Sequence, residues 1–131
     1  MILIRHCMGF DEFEACVQLQ VETWGYDASD VIPRKAFVVA KRIGGQILGA
    51  FDTEAPGTSP QGGPDSMVGF AFSLPGIKND GHEPQPYLHS HMLAVRPSHR
   101  NRGIGAQLKL EQRREALSRG IRRMEWTFDP L

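Results

Sequence analysis

Val95-Arg96-Pro97-Ser98-His99-Arg100-Asn101-Arg102-Gly103-Ile104-Gly105 is the stretch on which the reading of this chain turns. The residues leading into it, 87–95 (YLHSHMLAV), read as a strand, and Pro97 ends that strand by removing a ladder donor. The residues leaving it, 104–119, read as a helix with Ala106, Leu110 and Leu117 on one side, closed by Gly120. A strand therefore empties through a short basic turn into a helix that opens on glycines. The first N–H groups of a helix have no internal acceptor and carry the positive end of its dipole. Gly103 and Gly105 put no Cβ between that backbone and a ligand, and Arg100 and Arg102 add charge-assisted donors. Such a turn can cradle a phosphate. The plainer reading is that the glycines only permit a tight strand-to-helix connection.

Residues 121–128 form the next expected strand. With 87–95 and the helix between them they make a right-handed β-α-β unit, so the two strands should run parallel. Upstream, 46–52 (QILGAFD) and 67–74 (MVGFAFSL) read as two further strands. Between them, TEAPGTSPQGGPDS at 53–66 is nearly free of apolar side chains and is expected to be a flexible hairpin loop. Residues 75–86 read as a second loop. Near the start, 2–5 is a short strand, and Phe10, Phe13, Cys16, Val17, Val21 and Trp24 recur at helical spacing. Gly9 suits the cap of that helix, Asp11 and Glu12 suit its positive end, and Gly25 its stop. A turn-rich link, 26–32, leads to Pro33. Residues 34–43 fit a helix ended by Gly44-Gly45 or a strand turning there, and helix is the preferred reading. The order β-α-α-β-β-β-α-β predicts an α/β protein, a mixed sheet flanked by helices, in one domain spanning 1–131.

Composition narrows the function. The chain has 131 residues, 40% of them hydrophobic, which suits a packed core and excludes a disordered or disulfide-built class. Its longest useful apolar run, 36–40, is far short of a membrane span, and the start lacks a signal peptide's apolar region; the expected location is the cytoplasm. Cys7 and Cys16 make no metal or redox motif, and Cys16 lies on the apolar helical stripe as core filler. Net charge is zero, which argues against a general nucleic-acid or membrane binder. The charge is nevertheless uneven, −5 over residues 1–30 and +7 over 96–123, which points to a local anionic ligand. Arg113, Arg114, Arg119 and Arg122 suit a solvated helix face.

Two familiar phosphate loops fit badly. A dinucleotide fingerprint needs a small residue where Leu108 stands, and no G-K-[ST] triplet supplies a Walker loop. The pattern Val95-x-Pro97-x-x-Arg100-x-Arg102-Gly103-Ile104-Gly105 instead resembles the acyl-CoA-binding motif of the GNAT superfamily of N-acetyltransferases, whose core is [RQ]-x-x-G-x-[GA]. Arg100, Gly103 and Gly105 take its three defining places. The resemblance covers most of the chain, with QILGAFD and MVGFAFSL where that family has its second and third strands. YLHSHMLAV and EWTFDPL resemble more particularly a poorly characterised subgroup of predicted acetyltransferases.

The resemblance implies direct transfer of an acyl group from acetyl-CoA to the amine of a small molecule or protein, in a ternary complex. Main-chain amides of Arg100, Asn101, Arg102, Gly103, Ile104, Gly105 and Ala106 would hold the coenzyme A diphosphate. The backbone of Leu93, Ala94 and Val95 would pair with the pantetheine arm like an added strand. The parallel strands would splay to admit the arm, with the thioester near Met92 and Leu93 and a strand N–H stabilising the oxyanion. An alkylammonium acceptor must first lose a proton, and the candidate bases are Glu83, His89, His91 and Glu125. His89 and His91 lie two apart on one strand and so share a face. The same H-x-H pair with His82 or Glu83 could hold zinc, though no further spaced ligands support it and no metal is assigned.

Complete members of that family continue past the fifth strand into another helix and usually two more strands, which often supply a tyrosine for the departing thiolate. This chain stops at Leu131, and neither Tyr26 nor Tyr87 matches that place. The expectation is a homodimer through the free edge of the last strand, or a fragment of weak turnover. A module that binds acyl-CoA without chemistry is the alternative. A nucleic-acid binder using residues 96–123 is disfavoured, because exposed aromatics are not interleaved there.

Overall fold

The computed structural model describes residues 1–25, 31–54, 57–79, 81 and 83–126. Five strands and three helices follow in the order β1 (Ile2–His6), α1 (Gly9–Trp24), α2 (Arg34–Arg42), β2 (Gln46–Asp52), β3 (Met67–Lys78), β4 (Gln85–Val95), α3 (Ile104–Ser118) and β5 (Met124–Trp126). They build one sheet in the order β1-β2-β3-β4-β5. The first three pairings are antiparallel, and β4 with β5 is parallel, as the β-α-β unit requires. The mixed α/β architecture and the element order read from the sequence are those observed, and 34–42 is the helix. Tyr26, His82 and the expected strand end at 127–128 lie outside the described residues.

The sheet is covered on both faces because its central strands alternate two apolar sets. Ile47 and Phe51 of β2, with Phe70 and Phe72 of β3, pack under α1 and α2. Leu48 and Ala50, with Val68 and Ala71, face Ile104 and Leu108 of α3. Each fully buried large side chain here contributes about 1.5–3 kcal/mol through area removed from water. Cys7 and Cys16 are free thiols buried in the first cluster, so the filler role read for Cys16 holds.

Where β1 meets α1, the Glu12 carboxylate accepts from both terminal nitrogens of Arg5 at 2.8 and 2.7 Å and from the Met8 N–H at 2.8 Å. Burial pushes the Glu12 carboxyl upward, but the Arg5 and Met8 bonds outweigh it and hold the group below the ordinary carboxylate range. Gly9 is not the cap expected of it. It is the first helical residue, at a φ of 77°, and Met8 precedes it as the cap.

Three boundaries differ from the sequence reading by two residues or more. β3 continues through Pro75 to Lys78 and β4 starts at Gln85, so most of the expected loop 75–86 is a β-hairpin. Proline is tolerated because β2 pairs no further than Ser73, leaving that edge of β3 open. The last strand begins at Met124 rather than at 121. The inward face of α3 is not the side carrying Ala106, Leu110 and Leu117. Leu110 is 63% and Leu117 49% exposed, while Ile104, Leu108, Gln112 and Ala116 are buried.

The buried Gln112 explains that reversal. Beneath α3 the sheet presents Gln46, Ser73 and Ser90, and these polar groups need partners. Gln46 Nε2 donates to the Gln112 carbonyl at 2.9 Å and to Glu115 at 2.7 Å, and the Ser90 hydroxyl lies 3.4 Å from Gln112 Oε1. A glutamine at the centre of the inner stripe makes that stripe look polar.

Candidate functional site

The cradle is assembled where β4 ends. The Arg96 N–H donates to Val68 O at 2.8 Å, the chain makes one 3-10 turn over Pro97–His99, and α3 starts at Ile104. Asn101 (φ 64°) and Gly103 (φ 75°) both take the left-handed conformation with Arg102 between them. Alternation of that kind turns successive amides toward a common point. The first helical bond at this end runs from the Gln107 N–H to the Gly103 carbonyl, and among the described residues no protein acceptor meets the amides of Asn101 to Ala106. The Arg100 amide differs, since it already reaches the Pro97 carbonyl, at 3.4 Å.

The basic side chains divide their labour. Arg96 Nε lies 3.1 Å from Glu22, which ties the turn to the end of α1. Arg100 Nε donates to the Val95 carbonyl at 3.2 Å, so one nitrogen of this guanidinium braces the strand end. Arg102 has no protein partner among the described residues. His99 Nε2 stands 2.9 Å from Asp52 at the end of β2, and its Nδ1 lies 2.7 Å from the Ser98 hydroxyl. Hydrogen bonding to His99 draws the Asp52 carboxyl below its ordinary range. No local pattern announces this clamp, because its partners lie 47 positions apart.

Among the described residues, β4 pairs with β5 over three rungs, Leu88–Met124, His89–Glu125 and Ser90–Trp126. From His91 to Val95 the β5-side edge of β4 meets no strand among the described residues. On the other edge, Phe72 pairs with Met92 and Ser73 with Ser90, so His91 is the extra residue of a β-bulge. A bulge bends its strand and raises the local twist, and this one falls one residue beyond the last described rung with β5. Leu93, Ala94 and Val95 follow with one edge bonded to β3 and the other meeting no strand among the described residues.

His89 and His91 share a face, as their spacing predicts, with ring centroids 6.1 Å apart. The His91 ring also meets Phe72 edge-on at 5.9 Å. Burial, and then the charge of His89, push the His91 pKa below 6.5. Glu83 is not brought to them: it sits at the β3–β4 hairpin tip, before β4 starts at Gln85, and Gln85 itself is roughly 20 Å from His91 by strand rise. Glu125 is an ion-pair partner of Lys78 at 3.2 Å and of Arg123 at 2.7 Å. Desolvation raises its pKa, but those cations outweigh it and keep the carboxyl below the usual range, which weakens it as a base. Among the described residues no three His, Cys, Asp or Glu side chains are grouped to hold a metal ion. Among them, too, no helix is long and apolar enough to cross a membrane.

This arrangement offers a run of amides for an anion and an imidazole at the bulge of β4. The profile of the Acetyltransferase (GNAT) family matches residues 10–130. Among solved structures, an aminoglycoside acetyltransferase from an uncultured soil metagenomic sample, in complex with trehalose, superposes with a TM-score of 0.74 at 14% identity, covering 98% of this chain and 78% of that one. Aminoglycoside N-acetyltransferase AAC(6')-Iy in complex with CoA gives 0.67 at 20% identity, covering 99% and 78%. A transcriptional regulator from Bacillus halodurans gives 0.70 at 18% identity, covering 98% and 83%. No curated protein matches the sequence.

Proposed function

Because the chain belongs to the GNAT family of acetyltransferases, we propose that it moves an acetyl group from acetyl-CoA to an amine of a small molecule or protein. The observation that carries this reading is the run of unpartnered amides from Asn101 to Ala106 at the start of α3. Six donors at the positive end of a helix suit a diphosphate, and Arg102 adds a cation with no protein partner among the described residues. The edge of β4 at Leu93, Ala94 and Val95, which meets no further strand among the described residues, suits the amides of the pantetheine arm, which would lie against it as a short strand. Arg100 keeps the Val95 carbonyl in position at the mouth of that groove.

Acetyl-CoA supplies a thioester whose carbonyl carbon is open to attack by an amine. The chain's part is to bring that carbon to the bulge at His91 and Met92, where a main-chain N–H can stabilise charge on the carbonyl oxygen. His91 is the preferred base. Its lowered pKa leaves the imidazole neutral at pH 7, ready to take a proton from an incoming ammonium group. His89 stands beside it and helps to keep it neutral; Glu83 is too far along the strand to take part. The aminoglycoside acetyltransferases among the structural relatives make polyamine sugars the first acceptors to screen.

Calorimetric titration with acetyl-CoA tests the reading. A ligand held at about 100 times its Kd adds about 2.7 kcal/mol to stability, so Tm should rise on the order of 10 °C. No heat and no shift at millimolar acetyl-CoA would overturn it. With an acceptor in hand, thiol release reports turnover, and His91→Gln should lower kcat/KM by about 10²–10³-fold. The sign of the pH effect follows from the lowered pKa: wild-type activity persists below pH 6.5 and falls only as His91 gains its proton, and the variant should lose that acid limb. An unchanged profile would remove His91 from the role.

A further inference from the structure

Lys109 lies on the second turn of α3 and reaches across to the last rung of the β4–β5 ladder. Its ammonium donates to the Ser90 hydroxyl at 3.2 Å and lies 5.0 Å from the centroid of the Trp126 ring. Ser90 and Trp126 are the last paired residues of these two strands among those described. The amine therefore stands at that rung, with His91 the next residue along β4. It approaches from the α3 side, while His91 faces α1 and α2 through its contact with Phe72. Among the described residues no carboxylate lies within ion-pair distance of Lys109. Its polar partner is a neutral hydroxyl.

We propose that Lys109 is an acyl acceptor within the chain itself, acetylated on Nζ by the thioester lodged between β4 and β5. The inference rests on the acetyl-CoA reading above and adds a modification site to it. If the arm ends at the His91–Met92 bulge, its acyl carbon stops one or two residues from Ser90, roughly 3–7 Å along the strand. The chemistry is balanced without another reactant. The Nζ lone pair forms a C–N bond to the acetyl carbon, the C–S bond breaks with its electron pair going to sulfur, and the proton leaving nitrogen ends on the thiol of CoA. The amine must be neutral to attack, and desolvation beside Ser90 and Trp126 lowers its pKa below 10.5, enlarging that fraction. Acetylation removes the cation from the Trp126 face and ends the ammonium's donation to Ser90.

The test is to incubate the full chain with acetyl-CoA and map acetyl groups by peptide mass spectrometry. Lys109 should gain one acetyl group at least about tenfold faster than Lys35, Lys41 or Lys78, since held proximity outweighs random encounter. The rate per molecule should not depend on protein concentration. Excess CoA should suppress the labelling, and Lys109→Arg should abolish it while still binding acetyl-CoA. If calorimetry registers acetyl-CoA binding while Lys109 is labelled no faster than the other lysines, this inference fails and the acetyltransferase reading stands. Labelling that persists undiminished under excess CoA means solution chemistry and also overturns it. If acetyl-CoA does not bind at all, both readings fall.

Discussion

Gly103→Val is expected to leave the chain folded and to weaken acetyl-CoA binding by at least about 100-fold, equivalent to about 2.7 kcal/mol. The space around Gly103 is open: a Cβ built there meets nothing within 4 Å. The cost arises from the backbone, because φ at this residue is 75° and a β-branched side chain is strongly disfavoured there. Holding valine in that conformation costs about 1–3 kcal/mol. The chain escapes the cost by turning the Gly103 peptide out of the left-handed region, and the amides flanking it then no longer converge with those of Ile104 to Ala106. Circular dichroism should register native helix content, while calorimetry registers little or no heat. Gly105→Ala separates conformation from bulk. Gly105 has no positive φ, and its Cβ would stand 3.5 Å from Leu93, an ordinary contact. That variant should bind within about tenfold of wild type, a change below 1.4 kcal/mol. Binding of Gly103→Val within about threefold of wild type would mean that the cradle is not built on this glycine.

The contrast between those two glycines marks how far the sequence could be read. The stretch 95–105 announced a strand, a turn and a helix start, and α3 begins where its glycines placed it. β2 was equally plain, since QILGAFD alternates between two buried faces and its bounds match the observed strand. What escaped was whatever depends on neighbours distant in the chain. The inner stripe of α3 passes through the buried Gln112, whose Oε1 lies beside the Ser90 hydroxyl while its main-chain carbonyl accepts from Gln46, so counting apolar residues favoured Leu110 and Leu117 instead. Pro75 reads as a strand breaker until β2 is seen to have ended beside it. The bulge at His91 carries no glycine or proline to mark it, and only the register against Phe72 and Ser73 reveals it. Lys109 looks like one more solvated charge on a helix until Ser90 and Trp126 are found beneath it.

Phe37→Ala should be the most destabilising single change among those considered, costing about 3–5 kcal/mol. Phe37 is fully buried, and its ring stacks on Phe13 at 6.1 Å and meets the edges of Phe70 at 6.0 Å and Phe72 at 4.9 Å. It is the one aromatic residue of α2, a nine-residue helix that buries only Phe37 and Ala40. A helix this short is marginal by itself and depends on that packing to stay on the sheet. For a chain of this size the loss should lower Tm on the order of 10–20 °C, a large share of the total stability of a small domain. The effect should also reach the site, because Phe72 lies between Phe37 and His91. Loss of the Phe37 ring frees Phe72 to tilt into the vacated space, opening the His91 ring to water. That hydration weakens the burial that depresses the His91 pKa, so the acid limb of the pH profile should move upward in Phe37→Ala while acetyl-CoA affinity changes little. Thermal unfolding gives the first result and a pH series of kcat/KM the second. A stability loss under about 1.5 kcal/mol would mean that α2 is held by other contacts. An unmoved acid limb would separate Phe72 from the environment of His91.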